Sequence, residues 1–289
     1  AVDDLNGDNL PDIVVANGGS DDLSIFINLS GRQFQTLARV KLPKDALGNP
    51  GDNPSAVVIK DLDNDGKRDI AVSQEGSSNI SRLKNIGGNL GNGGLASMGS
   101  LATGTDPVDL AVDDLNGDNI PDFVTADGIP GTVTVLLSNG SGYDTVTLAT
   151  GGSQPSAVAL ADLDAVNGFD IVVINQQTNS VTTFLNDSHG AFTLKKTSQT
   201  RGRHNPQDLC LGDFDADGDL DVAIASPGTK DILVLRGKGD GTWESDERTY
   251  QVGKDPVSVV CVKIDADVTP DIVFGRRGGG TIDFIKTSN

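Results

Sequence analysis

The sequence has few aromatic residues and no long apolar run. Aromatic residues make up 4% of the 289 residues. No stretch approaches the roughly 18 consecutive apolar residues that a transmembrane helix needs. Glycine, in contrast, is abundant at 36 residues, and the apolar runs are of strand length. This composition favours many short strands joined by tight turns over long helices, and it predicts an all-β protein without membrane insertion.

Positive charge is scarce as well. The chain has 22 Lys and Arg residues against 41 Asp and Glu residues, for a net charge of −19. Binding to nucleic acid depends on a basic surface that neutralises phosphates, and anionic membranes attract basic segments. The charge therefore argues against nucleic acid as a partner.

Four acidic stretches of nine residues share one pattern. They read "DLNGDNLPD" (4–12), "DLDNDGKRD" (61–69), "DLNGDNIPD" (114–122) and "DFDADGDLD" (213–221). Carboxylates crowded this closely repel one another unless a cation lies between them. Oxygen ligands at alternate positions, with glycine or asparagine at position 6 to accept a positive φ, are typical of calcium loops. None of the stretches contains Cys or His, the ligands of softer metals, and magnesium demands a tighter octahedron.

The predicted ligands are side-chain oxygens at positions 1, 3, 5 and 9 and the main-chain carbonyl oxygen at position 7. This gives about four Ca2+ sites, formed by Asp4, Asn6, Asp8, Leu10 and Asp12; Asp61, Asp63, Asp65, Lys67 and Asp69; Asp114, Asn116, Asp118, Ile120 and Asp122; and Asp213, Asp215, Asp217, Asp219 and Asp221. Asparagine at position 3 of the first and third loops removes one charge. We therefore expect weaker binding in those two loops.

A related stretch at 162–170 departs from the pattern because Val166 occupies position 5. Three carboxylates remain there, those of Asp162, Asp164 and Asp170. Three ligands in the right order still form part of a calcium site. This loop is predicted to be a weak metal site.

The stretch at 263–271 departs further. Lys263 replaces the first aspartate, and the β-branched Val268 stands where a positive φ is wanted. We expect the Lys263 ammonium to reach Asp265, Asp267 or Asp271 and to replace the charge of the ion. This loop is predicted to be metal-free.

The six loops belong to an internal repeat. Their first residues are 4, 61, 114, 162, 213 and 263, so the period is 48 to 57 residues, and a proline stands seven residues before each of the last five. Strand-like runs flank each loop, and a third run and a glycine-rich hairpin follow. Four antiparallel strands per repeat is the pattern of a β-propeller blade. The predicted repeats of a single domain over 1–289 are approximately 1–53, 54–106, 107–154, 155–205, 206–255 and 256–289.

With these loops in register, the sequence resembles the FG-GAP/VCBS repeat family, the integrin-α-like β-propellers with loops of the form DxDxDGxxD. The resemblance implies calcium loops between the first two strands of four-stranded antiparallel blades, six in this chain. The alternative is seven blades in a parent protein. The chain begins within a first strand and without an initiator Met, and ends after a third strand. We expect a processed chain or a fragment, in which residues upstream of Ala1 supply the missing outer strand.

Few residues indicate catalysis or cross-linking. His189 and His204 lie in predicted turns, and no nucleophile and base pair is evident, so we interpret the protein as not an enzyme. Cys210 and Cys261 stand three and two residues before their loops. Equivalent strands would direct them to opposite faces, so the sequence predicts no disulfide between them.

Integrin-like propellers bind partners on the face opposite the calcium loops, and the resemblance implies the same face here. That face is predicted to carry a basic patch of Arg201, Arg203, Lys230, Lys254, Arg276 and Arg277. The favoured hypothesis is an extracellular, calcium-stabilised module for adhesion, ligand binding or assembly, with a protein, an anionic glycan or another copy as partner. The alternatives are a domain of a secreted carbohydrate-active enzyme and a structural subunit of an extracellular polymer.

Overall fold

The computed structural model describes residues 1–31, 33–43, 51–88, 90, 93–166, 168–200, 202, 205–277 and 280–287. All the regular secondary structure in these ranges is β-strand, apart from turns and bends. Within the same ranges there is no helix long and apolar enough to cross a membrane. The all-β prediction is confirmed.

Twenty-four strands form six antiparallel sheets, here called blades 1 to 6. Their bounds are, for blade 1, β1 (Val2–Asp3), β2 (Asp12–Asn17), β3 (Asp22–Asn28), β4 (Phe34–Thr36) and β5 (Val40–Lys41); for blade 2, β6 (Pro54–Lys60), β7 (Asp69–Gln74), β8 (Asn79–Asn85) and β9 (Leu95–Ala102); for blade 3, β10 (Pro107–Asp113), β11 (Asp122–Asp127), β12 (Thr132–Ser138) and β13 (Tyr143–Ala149); for blade 4, β14 (Pro155–Ala161), β15 (Asp170–Asn175), β16 (Ser180–Asn186) and β17 (Phe192–Gln199); for blade 5, β18 (Asp208–Gly212), β19 (Asp221–Ser226), β20 (Asp231–Gly237) and β21 (Trp243–Gln251); and for blade 6, β22 (Pro256–Val262), β23 (Asp271–Arg276) and β24 (Thr281–Ile285).

Within each blade the strands follow chain order, and each pairs with the next. Blades 2 to 5 have four strands each. In blade 1 both β4 and β5 pair with β3, and in blade 6 three strands are seen in the described residues. The first strands of blades 2, 3, 4 and 6 begin at the repeated proline. This position suits proline because a strand's first residue need not donate a ladder hydrogen bond.

The chain forms two compact units. The first comprises Ala1–Asp114 and Asp118–Thr147, and the second comprises Leu115–Gly117 and Leu148–Asn289. The second strands of blades 2 to 5 are buried on both faces: every residue of β7, β11, β15 and β19 is buried. This is why they read as continuous apolar runs instead of alternating ones.

Within the first unit, blades 1 and 2 pack face to face through a cluster that includes Leu23, Ile25, Ile70 and Val72. Blades 2 and 3 pack through another that includes Ile80 and Phe123. Within the second unit, blades 4 and 5 share a core that includes Ile174, Ile224 and Trp243, and blades 5 and 6 share one that includes Ile232 and Phe274. Face-to-face stacking of successive antiparallel sheets is the arrangement of propeller blades.

The prediction about the two cysteines is wrong. Cys210 of β18 and Cys261 of β22 form a disulfide, with their Cα atoms 5.6 Å apart. Leu209 and Leu211 pack towards blade 4, whereas Cys210 packs in the core between blades 5 and 6, beside Val259 and Cys261. Because the two blades are stacked, the face of blade 5 that meets blade 6 is opposite to the face of blade 6 that meets blade 5. Cysteines on opposite faces of equivalent strands therefore point at each other.

Candidate metal centres

The acidic stretches connect the first and second strands of every blade, and they are called loops 1 to 6 (4–12, 61–69, 114–122, 162–170, 213–221 and 263–271). At position 6, Asn9, Gly66, Asn119 and Gly218 have positive φ, from 63° to 97°. This conformation is the one predicted from glycine and asparagine at that position.

Hydrogen bonds from the main chain to position 1 close the loops. In loop 1, the Asp4 carboxylate accepts the N–H groups of Gly7, Asp8 and Asn9 at 2.7 to 3.1 Å. In loop 5, the Asp213 carboxylate accepts those of Asp217 and Gly218. The same pattern occurs at Asp61 of loop 2. These bonds close a tight turn around the carboxylate of position 1.

The aspartate at position 9 is buried and serves the backbone. In loop 5, Asp221 Oδ2 accepts the N–H of Phe214 at 3.0 Å, and its Oδ1 accepts the N–H of Gly237 at 2.9 Å. Asp69 accepts the N–H groups of Leu62 and Asn85 in the same way. The carboxylate thus ties its loop to the end of the third strand of the blade. Asp12 and Asp170 repeat both bonds.

Burial raises the pKa of Asp170 and of Asp221 to about 6, although the backbone hydrogen bonds act in the opposite direction. The negative charges of Asp162, Asp164, Asp215 and Asp217 add to this rise. Burial likewise raises the pKa of Asp69. A cation among these carboxylates would remove the repulsion and lower each pKa.

Three loops bring carboxylates together closely enough to share an ion. In loops 2, 4 and 5 one carboxylate oxygen from each of positions 1, 3 and 9 lies within 4.8 Å of the others. The sets are Asp61, Asp63 and Asp69; Asp162, Asp164 and Asp170; and Asp213, Asp215 and Asp221. Asp215 Oδ1 is also buried and has no hydrogen-bond partner among the described residues. An all-oxygen donor set with an unsatisfied buried oxygen fits a hard divalent cation such as Ca2+.

Loop 6 differs from the prediction in one respect. Its Asp265 Oδ2 is paired with the ammonium of Lys286, at 2.7 Å, and not with that of Lys263. Lys263 is exposed and lies within ion-pair distance of none of the three loop aspartates. Val268 is 74% exposed and does not adopt a positive φ. The prediction of Lys263, at position 1 of the loop, was wrong, because the side chain that reaches the carboxylate comes from the end of the third strand.

The predicted basic patch lies partly outside the described residues, because Arg201 and Arg203 are not among them. Lys230, Lys254 and Arg277 are exposed in the second unit. Arg276 is half-buried: it pairs with Asp283 at 2.6 Å, and its guanidinium lies over the Phe274 ring at 5.4 Å. Arg276 therefore has a structural role that the sequence did not indicate.

The two histidines carry no recognisable catalytic arrangement in the described part of the chain. His204 lies outside the described residues. His189 is exposed in the hairpin after β16, where its Nδ1 is 3.0 Å from the carbonyl oxygen of Asp187. The N–H of His189 also donates to the Asp187 carboxylate. These contacts are those of a turn residue.

The stacked antiparallel blades, each with an acidic loop between its first two strands, define the protein as an all-β β-propeller of six blades. The model of the FG-GAP-like repeat matches residues 4–72, 61–125, 168–224 and 213–274. The chain belongs to the FG-GAP-like repeat family. No curated protein matches the chain.

Solved structures with a similar fold cover nearly the whole chain. BBS1N, in its complex with ARL6DN, has a TM-score of 0.65 at 14% identity, over 99% of this chain and 78% of that one. A protein from Lactobacillus plantarum has a TM-score of 0.69 at 12% identity, over 98% and 78%. A periplasmic gluconolactonase of Pseudomonas aeruginosa has a TM-score of 0.65 at 13% identity, over 98% and 72%. At these identities the likeness concerns the fold alone.

Proposed function

We propose that the protein is a calcium-stabilised extracellular β-propeller that acts as an adhesion, ligand-binding or assembly module. The observation that carries the proposal is the oxygen-only cluster found in loops 2, 4 and 5, with carboxylate oxygens within 4.8 Å of one another. Calcium is the ion that prefers several carboxylate and carbonyl oxygens without soft ligands. The aspartates at positions 1, 3 and 9 of these loops would hold it.

The role proposed for calcium is structural. Positions 1, 3 and 5 lie in the loop, whereas position 9 begins the second strand and binds the third through its carboxylate. A cation held by both groups would stabilise the folded blade, because the unfolded chain does not present this set of ligands. Modest-affinity loops of this kind suit the millimolar calcium outside cells.

The disulfide supports the extracellular part of the proposal. Cys210 and Cys261 form the bond within the core between blades 5 and 6. Disulfides persist in oxidising compartments and are rare in the cytosol.

The partner is proposed to be a protein or an anionic glycan bound by the exposed cations of the second unit. Lys254 and Arg277 lie on the face opposite the acidic loops, in the connections before β22 and after β23. The Arg277 guanidinium also donates to the side-chain oxygen of Gln207 at 3.3 Å, which directs it.

Replacing Lys254 and Arg277 together by alanine is expected to weaken binding to immobilised heparin about tenfold. The salt dependence of that binding is expected to fall as well, because two contacts between cations and anionic sulfate groups are lost. Surface plasmon resonance at several salt concentrations measures both. The matched control replaces Lys195 and Lys196 of β17, which removes the same charge elsewhere in the second unit. Equal affinity of the two double variants would show that net charge alone governs the binding.

An enzyme is the competing proposal, because solved structures with this fold include a gluconolactonase and a putative 6-phosphogluconolactonase. Turnover of an aldonolactone panel by the purified protein would favour it. A structural subunit of a polymer is the third candidate, and concentration-dependent assembly in sedimentation velocity would favour that.

A further inference from the structure

Three of the six blades carry a basic residue at the same place, at the end of the third strand. Lys84 is the penultimate residue of β8, Arg236 is the penultimate residue of β20, and Lys286 directly follows β24. Each stands 21 residues after position 3 of its own loop, as 84 − 63, 236 − 215 and 286 − 265 show. The repeat therefore places one of these cations at the equivalent point of each of the three blades, beside the acidic loop.

Each of these cations contacts the loop carboxylate at position 3. The Lys84 ammonium binds the Asp63 carboxylate and lies 3.0 Å from Asp65 Oδ2. Arg236 Nε lies 3.1 Å from Asp215 Oδ2. Lys286 repeats the contact in loop 6. The hydrogen bonds to these carboxylates raise the pKa of both Lys84 and Lys286. The cations are thus seated on groups that are also predicted metal ligands.

The other three blades have an apolar residue at the same place: Ile27, Leu137 and Leu185. Their loops have fewer carboxylates. Loops 1 and 3 have asparagine at position 3, and loop 4 has valine at position 5, so each carries three carboxylates among positions 1, 3, 5 and 9. Loops 2 and 5 carry four at these positions, and the cation of the third strand offsets one of them. Loop 2 also has Lys67, whose ammonium lies 3.6 Å from Asp65 Oδ2, and loop 5 has a further carboxylate, Asp219, at position 7. The third-strand cation is thus found beside both loops that have four predicted ligand carboxylates.

We propose that Lys84 and Arg236 are built-in counter-ions that lower the calcium affinity of loops 2 and 5, and that Lys286 replaces the ion in loop 6. The inference rests on the proposed metal binding. A calcium ion entering loop 2 or loop 5 must share a carboxylate already bound by a cation, and it is repelled by that cation at short range. The loops that match the family pattern most fully are then not the tightest.

The test is calcium titration by calorimetry of the whole chain, after removal of metal with chelator. Lys84→Met and Arg236→Met each remove one cation and keep most of the side-chain volume. Each variant is expected to gain one site that binds calcium about tenfold more tightly or better than any site of the parent protein. Lys196→Met, on the exposed strand β17 of blade 4, removes the same net charge from a blade other than those of loops 2 and 5 and is the control.

Thermal unfolding gives a second readout, which is the change in unfolding temperature in chelator and in calcium. A lysine with a merely structural role would not give a change that vanishes or reverses in calcium. In chelator, Lys84→Met is expected to unfold at a lower temperature than the parent protein, because four carboxylates lose their counter-ion. In millimolar calcium the difference is expected to vanish or reverse. Lys84→Arg keeps the charge and is expected to keep the parent affinity.

The reverse substitution tests the same idea in another blade. Leu185→Lys places an ammonium 21 residues after Asp164 and is expected to weaken calcium binding in loop 4 at least tenfold. If the parent protein binds calcium but Lys84→Met and Arg236→Met bind it no more tightly than Lys196→Met does, the inference is overturned and the proposed function still stands. No calcium binding by the parent or by any variant would overturn both.

Discussion

Replacing Asp221 with alanine is expected to lower the free energy of unfolding by about 3 kcal/mol or more, in excess chelator as well as in calcium. The two oxygens of this buried carboxylate accept the N–H groups of Phe214 and Gly237. Losing a charged acceptor leaves two buried donors unpaired, and each unpaired donor costs about 1 to 3 kcal/mol. Urea unfolding followed by circular dichroism measures the loss.

The control is Asp217→Ala in the same loop. Asp217 is exposed, and its carboxylate accepts only the N–H of Asp219. Its replacement is expected to change stability in chelator by less than about 1 kcal/mol and to reduce the gain that calcium gives. If the two variants were equally unstable in chelator, position 9 would have no separate role in holding the blade together.

Breaking the disulfide is expected to have an effect of similar size. The bond between Cys210 and Cys261 spans 51 residues of chain. Closing a loop of that length restricts the unfolded state enough to contribute about 4 kcal/mol in the chain-entropy model. Reduction of the folded protein, or the variant Cys210→Ala with Cys261→Ala, should lower the urea midpoint of the second unit accordingly.

The single variants provide the control for this prediction. Cys210→Ala and Cys261→Ala should each cost nearly as much as the double variant, because either one abolishes the bond. Oxidised and reduced proteins with coincident unfolding curves would show that the core between blades 5 and 6 is held by packing alone.

The repeat made most of the fold predictable. Apolar runs of six or seven residues recur with a loop between them, so the strands on either side could be placed to within one or two residues. The run 12–17 is β2, and the run 170–175 is β15. Glycine and asparagine at position 6 predicted the positive φ of the loops, because few other residues adopt it at low cost. Local chemistry was sufficient for these features.

Features that depend on the stacking of blades were not predictable in the same way. The cysteine prediction failed because the alternation of side chains along a strand shows which face of its own sheet a residue lies on. It does not show which face the neighbouring blade covers. At position 4, Ala165 and Ala216 adopt a positive φ that alanine normally avoids, so nothing in their residue type indicates it.

The cations beside the loops were missed for a related reason. The residues of the loop itself suggested Lys263, whereas Lys286, at the end of the third strand, makes the contact with Asp265. A signal was available: aligning the repeats places Lys84, Arg236 and Lys286 in one column. The sequence shows the column, but only the pairing of strands shows that it lies beside the acidic loop.

The most direct test of calcium stabilisation is the metal content of the purified chain by elemental analysis, together with thermal unfolding in calcium and in excess chelator. About four calcium ions per chain are expected. A large fall in unfolding temperature on chelation is also expected, since each site filled at a hundred times its dissociation constant contributes about 2.7 kcal/mol. No bound calcium and superimposable melting curves would contradict the proposed calcium binding. The acidic loops would then be turns closed by their own hydrogen bonds.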